Sequence, residues 1–242
     1  MSAATQYTWA VGITTCIRMD YLLGDTITSL HDAGWPEVTV FAEPNFLPAF
    51  PNWDNPKYLA RGNADLRVNS EKLGAWRNWR QGLETLFRDS PDADFYAMAQ
   101  DDILLWQGAR NLCEETLSPD SCALYSLYTS DIQFSDTAHG EAPPNRRGWY
   151  KDTRGWFAVG ALFTVVPRAL VDRIRRHLPM EVPENKHIDA HLGKFSNDHE
   201  GVESFRFNPS LIHHTGHSLS TLGYPSGAPG RQAANFIGER SP

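Results

Sequence analysis

The sequence predicts an α/β fold, a mostly parallel central sheet flanked by helices, and three observations lead there. The segment YTWAVGITT, residues 7–15, is an apolar run bounded by a turn and reads as a buried strand. In DYLLGDTITSLHDAG, residues 20–34, Leu23, Ile27 and Leu30 recur at helical spacing, and Gly34 with Pro36 forms the stop signal. VTVFAE, residues 38–43, is short and β-branched and reads as a second strand. Strand, helix and strand within about 35 residues make the βαβ unit of a parallel sheet, whose crossover is right-handed.

The later elements follow the same logic. Residues 44–70 are rich in Pro and Asn, have no sustained period, and read as a long functional loop. EKLGAWRNWRQGLETLF (71–87) resumes a helical stripe through Leu73, Trp76, the stem of Arg80, Leu83 and Phe87. DFYAMA (94–99) reads as the next strand and CALYSLYT (122–129) as another. GWFAVGALFTVV (155–166) is apolar and rich in small residues, and Pro167 is expected at the first position of the helix RALVDRIRRHL. PENKHIDAHLGKF reads as a polar helix or turn, and ESFRFNPSLIHH contains a last strand. No internal repeat is visible. A single domain over 1–242 is expected, with a Rossmann-like half at about 7–110, a second half at about 120–217, and a Gly/Ser/Pro-rich tail or lid at 218–242.

Composition narrows the classes. With 242 residues and 41% hydrophobic content the chain is long enough for one substantial core. A net charge of −7 gives no general attraction for polyanions. Cys16, Cys113 and Cys122 form no paired framework and lack metal-ligand spacing. The first residues show neither a basic nor an apolar leader region, and no apolar run approaches the roughly 20 residues of a membrane helix, so a cytoplasmic protein without membrane contact is expected. Walker and dinucleotide glycine patterns are absent, which argues against ATPase and dehydrogenase chemistry.

The chemistry concentrates at DADFYAMAQDDILLW, where an apolar strand stops on Asp101 and Asp102. Ligands of open α/β sheets bind beyond the carboxyl ends of strands. Two carboxylates crowded there repel each other unless a divalent cation such as Mn²⁺ or Mg²⁺ sits on them, and such an ion bridges naturally to a diphosphate. The plain alternative is a helix-capping pair matched to the helix dipole.

Six segments in order, TTCIR, VFAEP, AQDDILL, GWFAVGALFTVVPRAL, NKHIDAHLGKF and PSLIHHTGHSLS, resemble the metal-dependent nucleotide-sugar glycosyltransferases of the GT-A fold. PSLIHHTGHS, residues 209–218, is similar to a segment of the N-acetylglucosaminyltransferase-IV-like group, and the resemblance runs over roughly 9–218. It implies a UDP-sugar donor, a divalent metal and an inverting transfer. It also implies Asp102 and His214 as metal ligands, with His213 and His217 as substitutes for the latter. Asp101 and Gln100 would serve ribose or the metal shell; Gln100 stands where such enzymes often carry an acidic residue. Thr14, Thr15, Arg18, Glu43 and Asn78 are candidates to line the nucleotide crevice, and Ser218 to touch phosphate. Asp189 is the candidate general base, with Glu184, Asp198 and Glu200 as rivals.

The acceptor is a hydroxyl of unknown origin, on a glycan or on hydroxymethylated DNA. The basic, aromatic segment NRRGWYKDTRGW (145–156) keeps the second alternative open, since it suits donor phosphates, an acceptor sugar stacked on Trp149 or Trp156, or a nucleic-acid backbone. Two other classes compete: a non-catalytic carbohydrate- or nucleotide-binding module of the same fold, and a two-metal phosphoryl hydrolase, for which the further ligand motifs are lacking.

Overall fold

A computed structural model of the chain describes residues 7–17, 22–44, 46–49, 63–130, 147–152, 161–182, 187–215, 233 and 236–237. Strand β1 (Trp9–Thr15) sends Val11 and Ile13 to one face of the sheet and Ala10 to the other, so both faces are apolar. Helix α1 (Leu23–Asp32) buries Leu23, Thr26, Ile27 and Leu30. Gly34, at φ 106°, ends it, and the Trp35 N–H returns to the Leu30 carbonyl at 2.9 Å. Strand β2 (Glu37–Ala42) runs parallel to β1, as the βαβ reading requires.

After a short helix α2 (Phe46–Ala49) comes strand β3 (Asn63–Val68), then helix α3 (Gly74–Asp89) and strand β4 (Phe95–Gln100). Strand β5 (Ile103–Leu105), helix α4 (Ala109–Thr116), and strands β6 (Ala123–Ser126), β7 (Gly148–Lys151) and β8 (Phe163–Pro167) follow. A 3₁₀ turn (Arg168–Leu170), helices α5 (Val171–His177) and α6 (Ile188–Asp198), and strands β9 (Glu203–Asn208) and β10 (Ile212–His214) complete the order.

Among the described residues one eight-stranded sheet has the order β3-β2-β1-β4-β8-β6-β9-β7, and β5 with β10 forms a separate antiparallel ribbon. The half containing β3, β2, β1 and β4 is parallel throughout. In the other half β8 is antiparallel to β4 and β6, and β7 antiparallel to β9, so the sheet as a whole is mixed. Helices α1 and α4 cover one face and α3, α5 and α6 the other. On α3 the predicted stripe is buried, with Trp76 and Leu83 inaccessible to solvent, and Trp79, outside that stripe, is equally buried. Apolar side chains such as Leu83 and Phe87 contribute about 1.5–3 kcal/mol each by such burial. Arg80 also lies inside, its Nε donating to the Leu178 carbonyl at 3.1 Å and its Nη1 to Glu84 at 3.2 Å.

Several elements differ from the sequence reading, each for a physical reason. The 44–70 loop contains β3, an edge strand whose half-exposed residues give no apolar alternation. Pro167 is the last residue of β8, extended at φ −65°, ψ 152°; it precedes the 3₁₀ turn rather than opening a helix from within. ESFRFNPSLIHH holds two strands in two sheets, separated by the cis Asn208–Pro209 bond. Gly148–Lys151 of the basic segment pairs as edge strand β7. Helix α4 went unpredicted because eight residues with Ala109 and Cys113 as their buried positions carry a weak stripe. Among the described residues no helix is long and apolar enough to cross a membrane.

Candidate active site

The parallel half aligns the ends of β1, β2 and β4. Thr14 is in register with Phe41 on one side and Gln100 on the other, and Thr15 with Ala42. Residues that follow these positions, Glu43 and Asp101, therefore emerge along one edge of the sheet, where the sequence reading places the crevice. The Thr15 hydroxyl donates to Asp101 Oδ2 at 2.5 Å, both residues being buried. Thr14 is turned to the strand backbone, its hydroxyl 3.3 Å from the Ala99 carbonyl. The Gln100 side chain reaches the Ala161 carbonyl at 3.4 Å, which ties it to the turn before β8.

Asp102 is held by the ribbon. Ile103 of β5 lies opposite His214 of β10, and the Thr215 N–H extends the ladder to the Asp102 carbonyl at 2.9 Å. The register sets the His214 imidazole beside the preceding carboxylate, Nε2 to Oδ2 3.1 Å, with both side chains almost fully buried. The far edge of β5 is docked on α1. The Thr26 hydroxyl accepts from the Ile103 N–H and donates to its carbonyl, and Ser29 Oγ accepts from the Leu105 N–H at 2.6 Å. The apolar ILL after the two aspartates is thus a buried ribbon strand, and its placement fixes where the carboxylates point.

Glu43 and Asn78 are engaged in positioning α3. The Glu43 carboxylate accepts the Leu73 N–H at 2.9 Å and the Gly74 N–H at 2.7 Å, placing a negative charge at the helix N-terminus. Asn78 donates to the Phe41 carbonyl at 3.1 Å and accepts from Asn69 at 2.9 Å, which fastens α3 to β2 and to the chain leaving β3. Arg18, Ser218, His217, Glu184, Trp156 and the 153–160 run lie outside the described residues.

Asp189 stands in the first turn of α6, after His187. Because α6 leads into β9, which runs in the direction of β6, the helix starts at the carboxyl edge of the sheet. The His191 ring, one half-turn on, packs at a tilt against Trp76 near the start of α3, centroids 4.5 Å apart, so α6 opens beside the helix that Glu43 caps. Burial pushes the Asp189 carboxyl above the usual carboxylate range, opposed by the Ala190 N–H, His187 and Arg206. Its rivals sit at the other end of α6: Asp198 pairs with Lys194 at 2.6 Å, and Glu200 lies in the turn beyond.

Sequence reasoning missed one feature of the mixed half of the sheet. Arg206 of β9 is fully buried and forms an ion pair with the equally buried Asp152. Register places Arg206 beside Ser126, and Ser126 beside Thr164, a polar row within an otherwise apolar sheet. The signal was the charged residue alternating with phenylalanines in ESFRFN. Trp149, offered as a sugar platform, packs edge-on against Tyr125 and Phe207 at 5.1 Å each and donates its indole N–H to Thr116.

Among the described residues no group of three or more His, Cys, Asp or Glu side chains converges into a metal cage. One carboxylate and one imidazole do converge, an oxygen and a nitrogen donor of the kinds that borderline divalent ions accept.

No known protein family and no curated protein matches the chain. Solved structures do. TarS of S. aureus, residues 1–349, aligns over 83% of this chain and 60% of its own, at 14% identity and TM-score 0.51. HddC from Yersinia pseudotuberculosis aligns over 87% and 94%, at 12% identity and TM-score 0.51. GalNAc-T7, solved with UDP, GalNAc and Mn²⁺, aligns over 88% and 44%, at 11% identity and TM-score 0.59. The chain spans 60% of the TarS piece and 44% of GalNAc-T7. The mixed eight-stranded sheet with its flanking helices has the fold of the GT-A-type glycosyltransferases among these structures.

Proposed function

We propose that the chain is an inverting, metal-dependent glycosyltransferase that moves a sugar from a nucleoside diphosphate donor to a hydroxyl group. One observation carries the reading: Asp102 and His214, far apart in sequence, meet at 3.1 Å beside the carboxyl edge of the parallel strands. The fold supports it, since TarS has been solved with UDP-GlcNAc and GalNAc-T7 with UDP, GalNAc and Mn²⁺. A likeness of residues 209–218 to the N-acetylglucosaminyltransferase-IV-like group points the same way.

In this reading Asp102 and His214 hold a Mn²⁺ or Mg²⁺ ion, which when bound neutralises charge on the leaving diphosphate. Asp101, fixed by Thr15, accepts from the ribose or supports the metal shell. Thr14, Gln100, Arg18 and Ser218 belong to the donor side, and Glu43 and Asn78 shape its wall through α3. Asp189 accepts the proton of the acceptor hydroxyl as the new bond forms at the anomeric carbon and the bond to the diphosphate breaks. Its raised affinity for a proton suits that task. The nucleotide half then covers about 7–110 and the acceptor half about 120–217. The acceptor is a glycan hydroxyl or the hydroxyl of hydroxymethylated DNA.

The test is direct. Purified protein with Mn²⁺ is given a panel of UDP- and GDP-sugars, the guanosine donors because HddC has been solved with GMP-PN. Binding or slow hydrolysis of one donor is expected, and indifference of folded protein to every donor ends the proposal. A non-catalytic module is recognised by nucleotide or glycan binding without product.

A further inference from the structure

The ribbon carrying His214 has two faces. Successive residues of an extended strand point to opposite sides, and the described contacts follow that rule: His214 meets Asp102 on one side, and the His213 ring meets Phe236 on the other, centroids 5.6 Å apart. Phe236 comes from the C-terminal part of the chain, and its neighbours hold it there. The Ile237 N–H donates to the Ser210 carbonyl at 3.2 Å, and Ala233 forms an antiparallel bridge with Ser130. Ala233 and Ile237 also pack against the core beneath α1 and α4.

Ser210 is the node where this segment meets the ribbon. Its buried hydroxyl accepts the Thr129 and Ile212 N–H groups and donates to the Ile212 carbonyl at 2.7 Å. The ribbon is only three residues long on each strand, with α1 hydroxyls along β5. Along β10 the described supports include the Ser210 node, the Leu211 N–H to Leu127 carbonyl bond and the C-terminal segment. So short a ribbon has little stiffness of its own, and an imidazole needs its orientation set from behind to act as a metal ligand.

We propose that Phe236 and Ile237 are positioning residues for the His214 imidazole, clamping β10 from its back face and so setting the metal affinity of the Asp102–His214 pair. This rests on the metal-site reading of that pair. The segment acts through His213 and Ser210 and touches neither donor nor acceptor.

The experiment measures Mn²⁺ binding to the full chain by the electron paramagnetic resonance signal of the free ion, with and without UDP. Wild type is compared with Phe236→Ala, Phe236→Tyr, Ile237→Pro, His213→Ala and Asp102→Asn, with melting temperatures recorded for each. Phe236→Ala, Ile237→Pro and His213→Ala are expected to weaken Mn²⁺ binding about tenfold, as loss of an orienting partner does elsewhere. Phe236→Tyr, which keeps the ring, is expected to restore it. In a turnover assay the loss appears in the Mn²⁺ activation constant, with kcat recovered at saturating metal. Should Phe236→Ala and His213→Ala both bind Mn²⁺ like wild type while Asp102→Asn does not, the clamp is overturned and the metal site stands. If wild type itself binds no Mn²⁺, with or without UDP, the clamp falls together with the metal reading. Should one ring variant fail to fold, the other still decides.

Discussion

The His214 imidazole lies 3.1 Å from the Asp102 carboxylate, although 112 positions separate the two in the chain. What joins them is the backbone: the β5–β10 register and the Thr215 N–H to Asp102 carbonyl bond leave the two side chains adjacent. Replacing either residue, Asp102→Asn or His214→Ala, removes one of the two proposed metal ligands. Metal-stimulated nucleotide binding is expected to fall at least about 100-fold, the upper end seen even for outer-shell partners, with far-ultraviolet circular dichroism unchanged. Calorimetric titration of UDP with and without Mn²⁺ checks this; equal loss in metal-free binding points to misfolding instead.

The Asp189 carboxyl binds its proton more tightly in the folded chain than in the unfolded one, because burial disfavours the charge. In its proposed role as base it works only when ionised, so the acid limb of the kcat/KM profile is expected above the ordinary carboxylate range. The stability sign follows from linkage. A carboxyl raised on folding helps the folded state below its unfolded pKa and loses that help as pH rises through the folded pKa. Asp189→Asn is therefore expected to abolish transfer yet melt higher than wild type at neutral pH, the gap closing as the solution is acidified.

Thr15 supplies the hydrogen bond that holds Asp101 Oδ2 at 2.5 Å. Thr15→Val keeps the shape and removes the donor beside a buried carboxylate, so a loss of about 1–3 kcal/mol is expected in urea unfolding. Thr15→Ser keeps the hydroxyl and should recover most of it. An unaltered midpoint for Thr15→Val means that water or another group replaces the donor.

Glu43 accepts two N–H groups at the start of α3. Glu43→Ala is expected to destabilise the fold by about 1–2 kcal/mol through loss of the cap and its charge. Uridine preference over guanosine provides the contrasting measurement. A change in base preference with stability intact makes Glu43 a base-reading residue, whereas lost stability with preference intact makes it a helix anchor.

Much of the parallel half was legible because its signals are local. YTWAVGITT, the Leu23–Ile27–Leu30 stripe, VTVFAE and the α3 stripe are periodicities that burial imposes directly on sequence, and β1, α1, β2, α3 and β4 stand where they predict. Strand β3 was hidden because an edge strand exposed on one side needs no apolar run, and α4 because eight residues give too few turns for a stripe. The Asp152–Arg206 pair was hidden for another reason: each residue looks like an ordinary surface charge until its partner is known, and only the pairing makes burial tolerable. Glu43 was a candidate because it follows a strand, and Asn78, on the helix before the two aspartates, because the family resemblance permits it to face the nucleotide. Glu43 also faces the start of α3, whose unsatisfied N–H groups it accepts, and Asn78, inside α3, donates to the Phe41 carbonyl of β2.

By itself the sequence determined an alternating α/β chain with two carboxylates at the end of a buried strand and histidines waiting near its far end. Those are consequences of hydrophobic periodicity and residue chemistry, which neighbouring positions carry. Only the tertiary structure decided that His214 rather than His213 faces Asp102, that Asp101 is held by Thr15, and that Glu43 caps a helix. Such choices depend on strand register, where a shift of one residue exchanges the two faces, and register is set by long-range backbone pairing that no single segment encodes.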